Sequence, residues 1–118
     1  MFTLEDFFKA VDSNADDVIR RLGGSPALVV RFLSKFHDDG SFQDLSDALE
    51  KNDTETAFRA AHTLKGTSVN LGIQSLSQQA SNVTEMLRAG NINEAKSAFP
   101  SLQQEYKRVL EALDNLES

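Results

Sequence analysis

The chain has no cysteine, no tryptophan and only two prolines among its 118 residues. Without cysteine there is no disulfide framework, thiolate metal site or thiol nucleophile, a pattern suited to a reducing compartment. Long apolar runs are also missing. The longest is Ala27 to Val30, far short of the ~20 residues that span a bilayer, so neither a transmembrane helix nor a membrane partner is expected. Met1 is followed by Glu5 and Asp6 rather than by a basic stretch and an apolar segment, so no signal peptide is expected and the cytoplasm is the expected location. Positive charge is in deficit: 12 Lys and Arg stand against 18 Asp and Glu, a net charge of -6. That balance repels a phosphate backbone and excludes nucleic acid as the main partner. No Gly-rich phosphate loop is present, so the chain is not expected to bind ATP or to phosphorylate itself. No His-x-x-x-His spacing occurs, and Asp38 and Asp39 beside His37 do not form a calcium loop, so no metal or cofactor is expected.

What is present is helical periodicity. At 40% hydrophobic with eight Phe, the chain carries enough apolar surface for one core, and residues 1–118 are read as a single domain. Five of the six glycines, Gly23, Gly24, Gly40, Gly72 and Gly90, are placed where helices should end. Leu4, Phe7, Phe8 and Val11 form one short amphipathic helix, and Val18, Ile19 and Leu22 form another after Asn14. Ser25-Pro26 opens a third helix that runs to about Asp38. A segment from Ser41 to about Asn52 carries Phe42, Leu45, Ala48 and Leu49 on one face. Asp53 caps a longer helix with the stripe Ala57, Ala61, Leu64, Ser68 and Leu71, and the next helix carries Ile73, Leu76, Ala80, Val83 and Leu87. Asn91 with Glu94 starts the last and longest helix, whose spacing stays in phase from Ile92 to Leu116. Pro100 inside it costs the hydrogen bond to the Lys96 carbonyl and predicts a kink rather than a break. No stretch alternates like a strand. The fold class expected is all-α, an antiparallel up-down four-helix bundle with short additional N-terminal helices.

Gly66 is the exception among the glycines. Inside a helix it costs about 1 kcal/mol relative to Ala, so its position needs a reason. On a helical wheel the apolar stripe falls on one side, and His62 and Gly66 fall together on the other. Lys65 lies one turn from the histidine. An exposed imidazole, a cation beside it and open space above it suit a nucleophile that a large partner must reach. Lysine disfavours the imidazolium and can hold the oxygens of an attached phosphoryl group. Phosphoryl transfer asks mainly for positioning and charge, which a sparse site can supply when the partner brings the metal.

The run His62-Thr63-Leu64-Lys65-Gly66-Thr67-Ser68-Val69-Asn70-Leu71-Gly72 resembles the signature of histidine-containing phosphotransfer (HPt) domains: His-x-Leu-Lys-Gly, two small residues, then an apolar-Gly pair. Ala60-Ala61 before it and Leu76, Ala80 and Leu87 after it are similar to the family, so the resemblance covers roughly residues 25 to 115. It implies that His62 accepts a phosphoryl group from a receiver-domain aspartate and passes it to another receiver domain, with Lys65 as electrostatic support and Gly66 as steric clearance. The implied partners are response-regulator receiver domains, a hybrid sensor histidine kinase, or both, and the chain would be a monomeric carrier rather than an enzyme. The family often has a glutamine or glutamate on the facing helix that bonds the imidazole. An ungapped count places Thr84 there, with Glu85 next. Members usually have a continuous leucine-rich last helix where this chain has Pro100.

Other residues have plainer readings beside their functional ones. Phe58 and Val69, flanking His62, are read either as the edge of the core or as part of a docking patch. Arg59 is read either as an ordinary exposed arginine or as a hold on a phosphoryl group or acidic partner. His37 is read as a histidine near a helix C-terminus, where partial positive charge is favourable. Asp44, Asp47, Glu50, Asp53 and Glu55 are most simply a solvated face. Two rival functions remain: the phosphoacceptor domain of a chemotaxis-type histidine kinase, which carries a similar His-Thr-x-Lys-Gly stretch, and a helical adaptor in which His62 is incidental.

Overall fold

The computed structural model describes residues 1–117 and contains helices only, with no strand among the described residues. The helices are α1 (Leu4–Ala10), α2 (Ala15–Arg21), α3 (Pro26–Lys35), a 3-10 turn (Phe36–Asp38), α4 (Ser41–Glu50), α5 (Thr54–Asn70), α6 (Gln74–Arg88) and α7 (Ile92–Glu117). Local chemistry sets most of their starts. Thr3 accepts from the Asp6 N–H while the Asp6 carboxylate accepts from Thr3, a reciprocal capping box. Asn14, Ser25 and Asp53 each accept from an N–H three residues on.

One expected boundary differs. Gly40 does not end a helix: its φ is -85°, and it stands immediately before α4. The turn there is held by Asp39, whose carboxylate accepts from the Ser41 N–H at 2.7 Å and from the Ser41 hydroxyl. The helix before it tightens into the 3-10 turn at Phe36, which supplies the end that a left-handed glycine was expected to make. The last helix runs unbroken through Pro100, which is exposed. Apolar contact along the roughly seven turns of the helix outweighs one lost hydrogen bond.

The stripes read from the sequence face one core. Phe42, Leu45, Ala48 and Leu49 of α4, Ala57, Ala61, Leu64 and Ser68 of α5, Leu76, Ala80, Val83 and Leu87 of α6, and Ala95, Leu102, Val109 and Leu113 of α7 are all buried. Helix α5 packs against α4 on one side and α6 on the other, α6 packs against α7, and α3 and α4 also touch α7. At 1.5 Å per residue, the 26 residues of α7 are about 39 Å long, close to the 41 Å long axis of the molecule. Inside, Phe42 stacks on Tyr106 with centroids 4.0 Å apart and on Phe99 at 5.3 Å.

Helices α1 and α2 cover the α5–α6 end. The Ser75 N–H donates to the Val11 carbonyl, and Arg108 of α7 donates to the Ala10 carbonyl at 2.8 Å. Arg21 donates to the carbonyls of Val69 and Asn70, satisfying the end of α5. Gly72, at φ +72°, turns the chain beneath Val18 so closely that an added Cβ would lie 2.4 Å from its methyl carbon. The end of α5 is thereby anchored by α2, and the middle of its outer face is left open.

Candidate functional site

Helix α5 presents its outer face because alanines fill its inner one. Ala57, Ala60 and Ala61 are buried with Leu64 and Ser68, so the helix lies close to its neighbours, and the buried Ser68 hydroxyl is satisfied by the Leu64 carbonyl at 2.7 Å. His62 is exposed on the opposite side. Gly66, one turn on, is exposed as well, and a Cβ built there meets no atom within 4 Å. The empty space above the histidine that the sequence implied is present in the structure.

The charged groups around His62 are divided in their commitments. Arg59 lies 3.8 Å from Glu55, an exposed pair on one helix that contributes little to stability. Arg88 of α6 is paired with Glu85 at 3.0 Å. Lys65 is half-buried and forms no ion pair among the described residues, so its ammonium remains available one turn from the imidazole. On α5 and α6 together Arg59, Lys65 and Arg88 outnumber Glu55 and Glu85, a local positive excess in a chain of net charge -6.

The remaining expected site residues are distributed differently. Val69 is 49% exposed, a large apolar side chain that lies at the surface rather than at the edge of the core. Phe58 is half-buried and packs on the core, yet its ring also lies beside the imidazole, with centroids 5.9 Å apart and planes inclined by 15°. Thr84 is not at the surface. It is fully buried, and its hydroxyl donates to the Ala80 carbonyl at 2.7 Å, so it contacts neither a partner nor the imidazole. The reason is its register: four residues after Ala80 and one after Val83, it belongs to the apolar face of α6. Glu85 does not bond the imidazole either, because its carboxylate is held by Arg88.

One residue not singled out by the sequence completes the surroundings. The Arg88 guanidinium lies 5.0 Å from the centroid of the Phe58 ring, a cation over an aromatic face. Nothing local marks this contact, because it joins two helices 30 residues apart. The other histidine, His37, is engaged elsewhere: its Nε2 lies 3.3 Å from Asp114 of α7.

Three chemical properties follow. His62 is a sterically open imidazole on the exposed face of α5. Lys65 is a cation one helical turn from it that forms no ion pair among the described residues. Among the described residues no three His, Cys, Asp or Glu side chains cluster as a metal site, and no helix is long and apolar enough to cross a membrane.

Comparison with known proteins agrees with this geometry. The family described as the Hpt domain matches residues 27–116, which contain α5, α6 and all the residues around His62. Curated proteins and solved structures give no significant match. A histidine open on one helix face, framed by this matched region, identifies the chain as a member of the Hpt domain family, whose domains serve histidine phosphotransfer in two-component signalling.

Proposed function

We propose that the protein is a phosphoryl carrier of a multistep phosphorelay, with His62 as the residue that is phosphorylated. The observation that carries this reading is the open space over the imidazole at Gly66, on a helix otherwise packed on its inner face. A lone pair of the neutral ring attacks the phosphorus of a receiver domain's aspartyl phosphate. The P–N bond forms as the acyl P–O bond breaks, the aspartate leaves as a carboxylate, and the proton on the other ring nitrogen exchanges with solvent. Passing the group on reverses these steps at a second receiver. Lys65 compensates the charge of the transferred oxygens. Arg59 and Val69 lie on the face that a receiver approaches, and the positive excess there suits a partner whose active site is acidic. The partner supplies the remaining phosphate ligands, so a kinase or hybrid kinase acts upstream rather than within this chain.

The packing of α4 to α7 in chain order through short connections supports an up-down four-helix arrangement, with residues 1–118 acting as one monomeric domain in the cytoplasm.

Incubation with a receiver domain phosphorylated by a labelled small phosphodonor tests the reading, with His62→Gln as control. Acid-labile, alkali-stable label that disappears in the control is the expected result. Failure to acquire label from several unrelated receivers refutes it. Label acquired only from a separate kinase catalytic fragment and ATP would assign the chain to a kinase instead.

A further inference from the structure

No hydrogen bond holds the His62 imidazole among the described residues, because Thr84 turns to the Ala80 carbonyl and Glu85 to Arg88. An exposed histidine so placed has several staggered rotamers open to it. A nucleophile must nevertheless lie within a narrow range of positions, since a misplacement of about 1 Å costs on the order of 100-fold in rate. What the ring does have is the face of Phe58, one helical turn before it, at 5.9 Å and nearly parallel. That phenyl ring is itself constrained. It is half-buried against the core, and the Arg88 guanidinium lies over it at 5.0 Å. Arg88 is oriented in turn by Glu85, whose Oε2 accepts from Nε at 3.0 Å. A continuous set of contacts therefore runs from α6 to the imidazole on α5 through Glu85, Arg88 and Phe58.

We propose that Phe58 and Arg88 are positioning residues that restrict the His62 imidazole to the rotamer that meets the incoming phosphorus, by stacking rather than by hydrogen bonding. The proposal rests on the reading of His62 as the phosphoacceptor. It explains why the phenyl ring is shared between core and surface: its buried edge fixes it, and its exposed face guides the histidine. It also gives the Arg88–Glu85 pair a role beyond its own small contribution as an exposed ion pair.

The test uses the full chain with Phe58→Leu and Arg88→Gln. Two quantities are read: the His62 ring-proton shifts and χ1 couplings by NMR, and the transfer rate as a function of phosphorylated-receiver concentration. Phe58→Leu is expected to abolish the ring-current shift on His62, spread its rotamers and lower the saturated transfer rate on the order of tenfold. Arg88→Gln, at a largely exposed position that the fold does not depend on, is expected to act in the same direction by several-fold. The receiver concentration for half-saturation stays constant in both. Unchanged saturated rates in both variants overturn the proposal, as does an effect confined to half-saturation, which makes these residues a docking surface. Absence of label on wild-type His62 refutes the carrier function itself. The NMR readout still decides the positioning in that case, and His62 shifts and couplings unchanged in both variants overturn it.

Discussion

Replacement of Gly66 separates the steric role from every structural one, because the two predict opposite signs. The glycine lies within α5, four residues from either His62 or Asn70, and a Cβ added there meets nothing within 4 Å. Its backbone is helical, so Ala pays no conformational penalty and recovers the helix propensity that glycine lacks, about 1 kcal/mol. For a chain of this size that gain raises Tm by about 4 °C. Side chains in a helix tilt toward its N-terminus, so a side chain at 66 leans over the turn that carries His62. A methyl group obstructs little, whereas Gln or Trp at that position occupies the space through which the phosphorus must come. The series Gly66→Ala, Gly66→Gln, Gly66→Trp should therefore show stability at or above wild type by thermal denaturation, while transfer from a phosphorylated receiver declines with size. The Gln and Trp variants should lose on the order of 100-fold. A Trp variant that transfers at the wild-type rate would refute the steric argument. Loss of stability in the Ala variant would refute the premise that the position is open. No transfer to the wild type or to any variant, together with the stability gain, would leave a helical adaptor with an incidental histidine.

Other substitutions probe the scaffold and the corrected residue. Gly72→Ala combines a positive φ with a Cβ 2.4 Å from the Val18 side chain, so it should destabilise by about 2 kcal/mol or more in urea titration, and an unchanged midpoint would contradict the close packing of α2 on the α5–α6 turn. Thr84→Val removes a buried hydroxyl whose acceptor, the Ala80 carbonyl, lies within a helix, so transfer should stay within twofold of wild type, and a larger fall would return Thr84 to the site. Burial alone would raise the Glu105 carboxyl, but hydrogen bonds from Arg108 and Ser75 outweigh it and hold it below the ordinary value of 4.5. A depressed carboxyl contributes stability above its unfolded value that is lost as pH falls through its folded one. Urea midpoints of the wild type should therefore fall toward those of Glu105→Gln below about pH 4.5, and parallel curves would show that the carboxylate adds nothing specific.

Helix existence and facing were legible because both are local. The spacing of Ala57, Ala61, Leu64 and Ser68 is the spacing of one helix face, so the burial of that face and the exposure of His62 and Gly66 follow from 3.6 residues per turn. The caps at Asn14, Ser25 and Asp53 were legible for the same reason: each acceptor and its N–H donor are three residues apart. The His-x-Leu-Lys-Gly run lies within two turns of α5, so the chemical core of the site needed no knowledge of the other helices. Thr84 shows where counting fails. Its distance along the chain suggested a place opposite the imidazole, but its rotation about α6 is set by the neighbours Ala80 and Val83, which turn it inward. Gly40 misled in a related way, since a turn closed by the Asp39 carboxylate does not need a left-handed glycine.

The sequence by itself determined seven helices in nearly their observed order and extent, and an exposed histidine, a cation and a clearance within five residues, because each depends on contacts no more than a turn or two apart. Only the tertiary structure decided which α6 side chain meets α5. It placed Arg88 over Phe58 beside His62, and fastened Arg21 and Arg108 across the helix ends. Those contacts depend on the mutual rotation and offset of packed helices. Those are set by how the whole core fills its volume, and no short window of sequence encodes them.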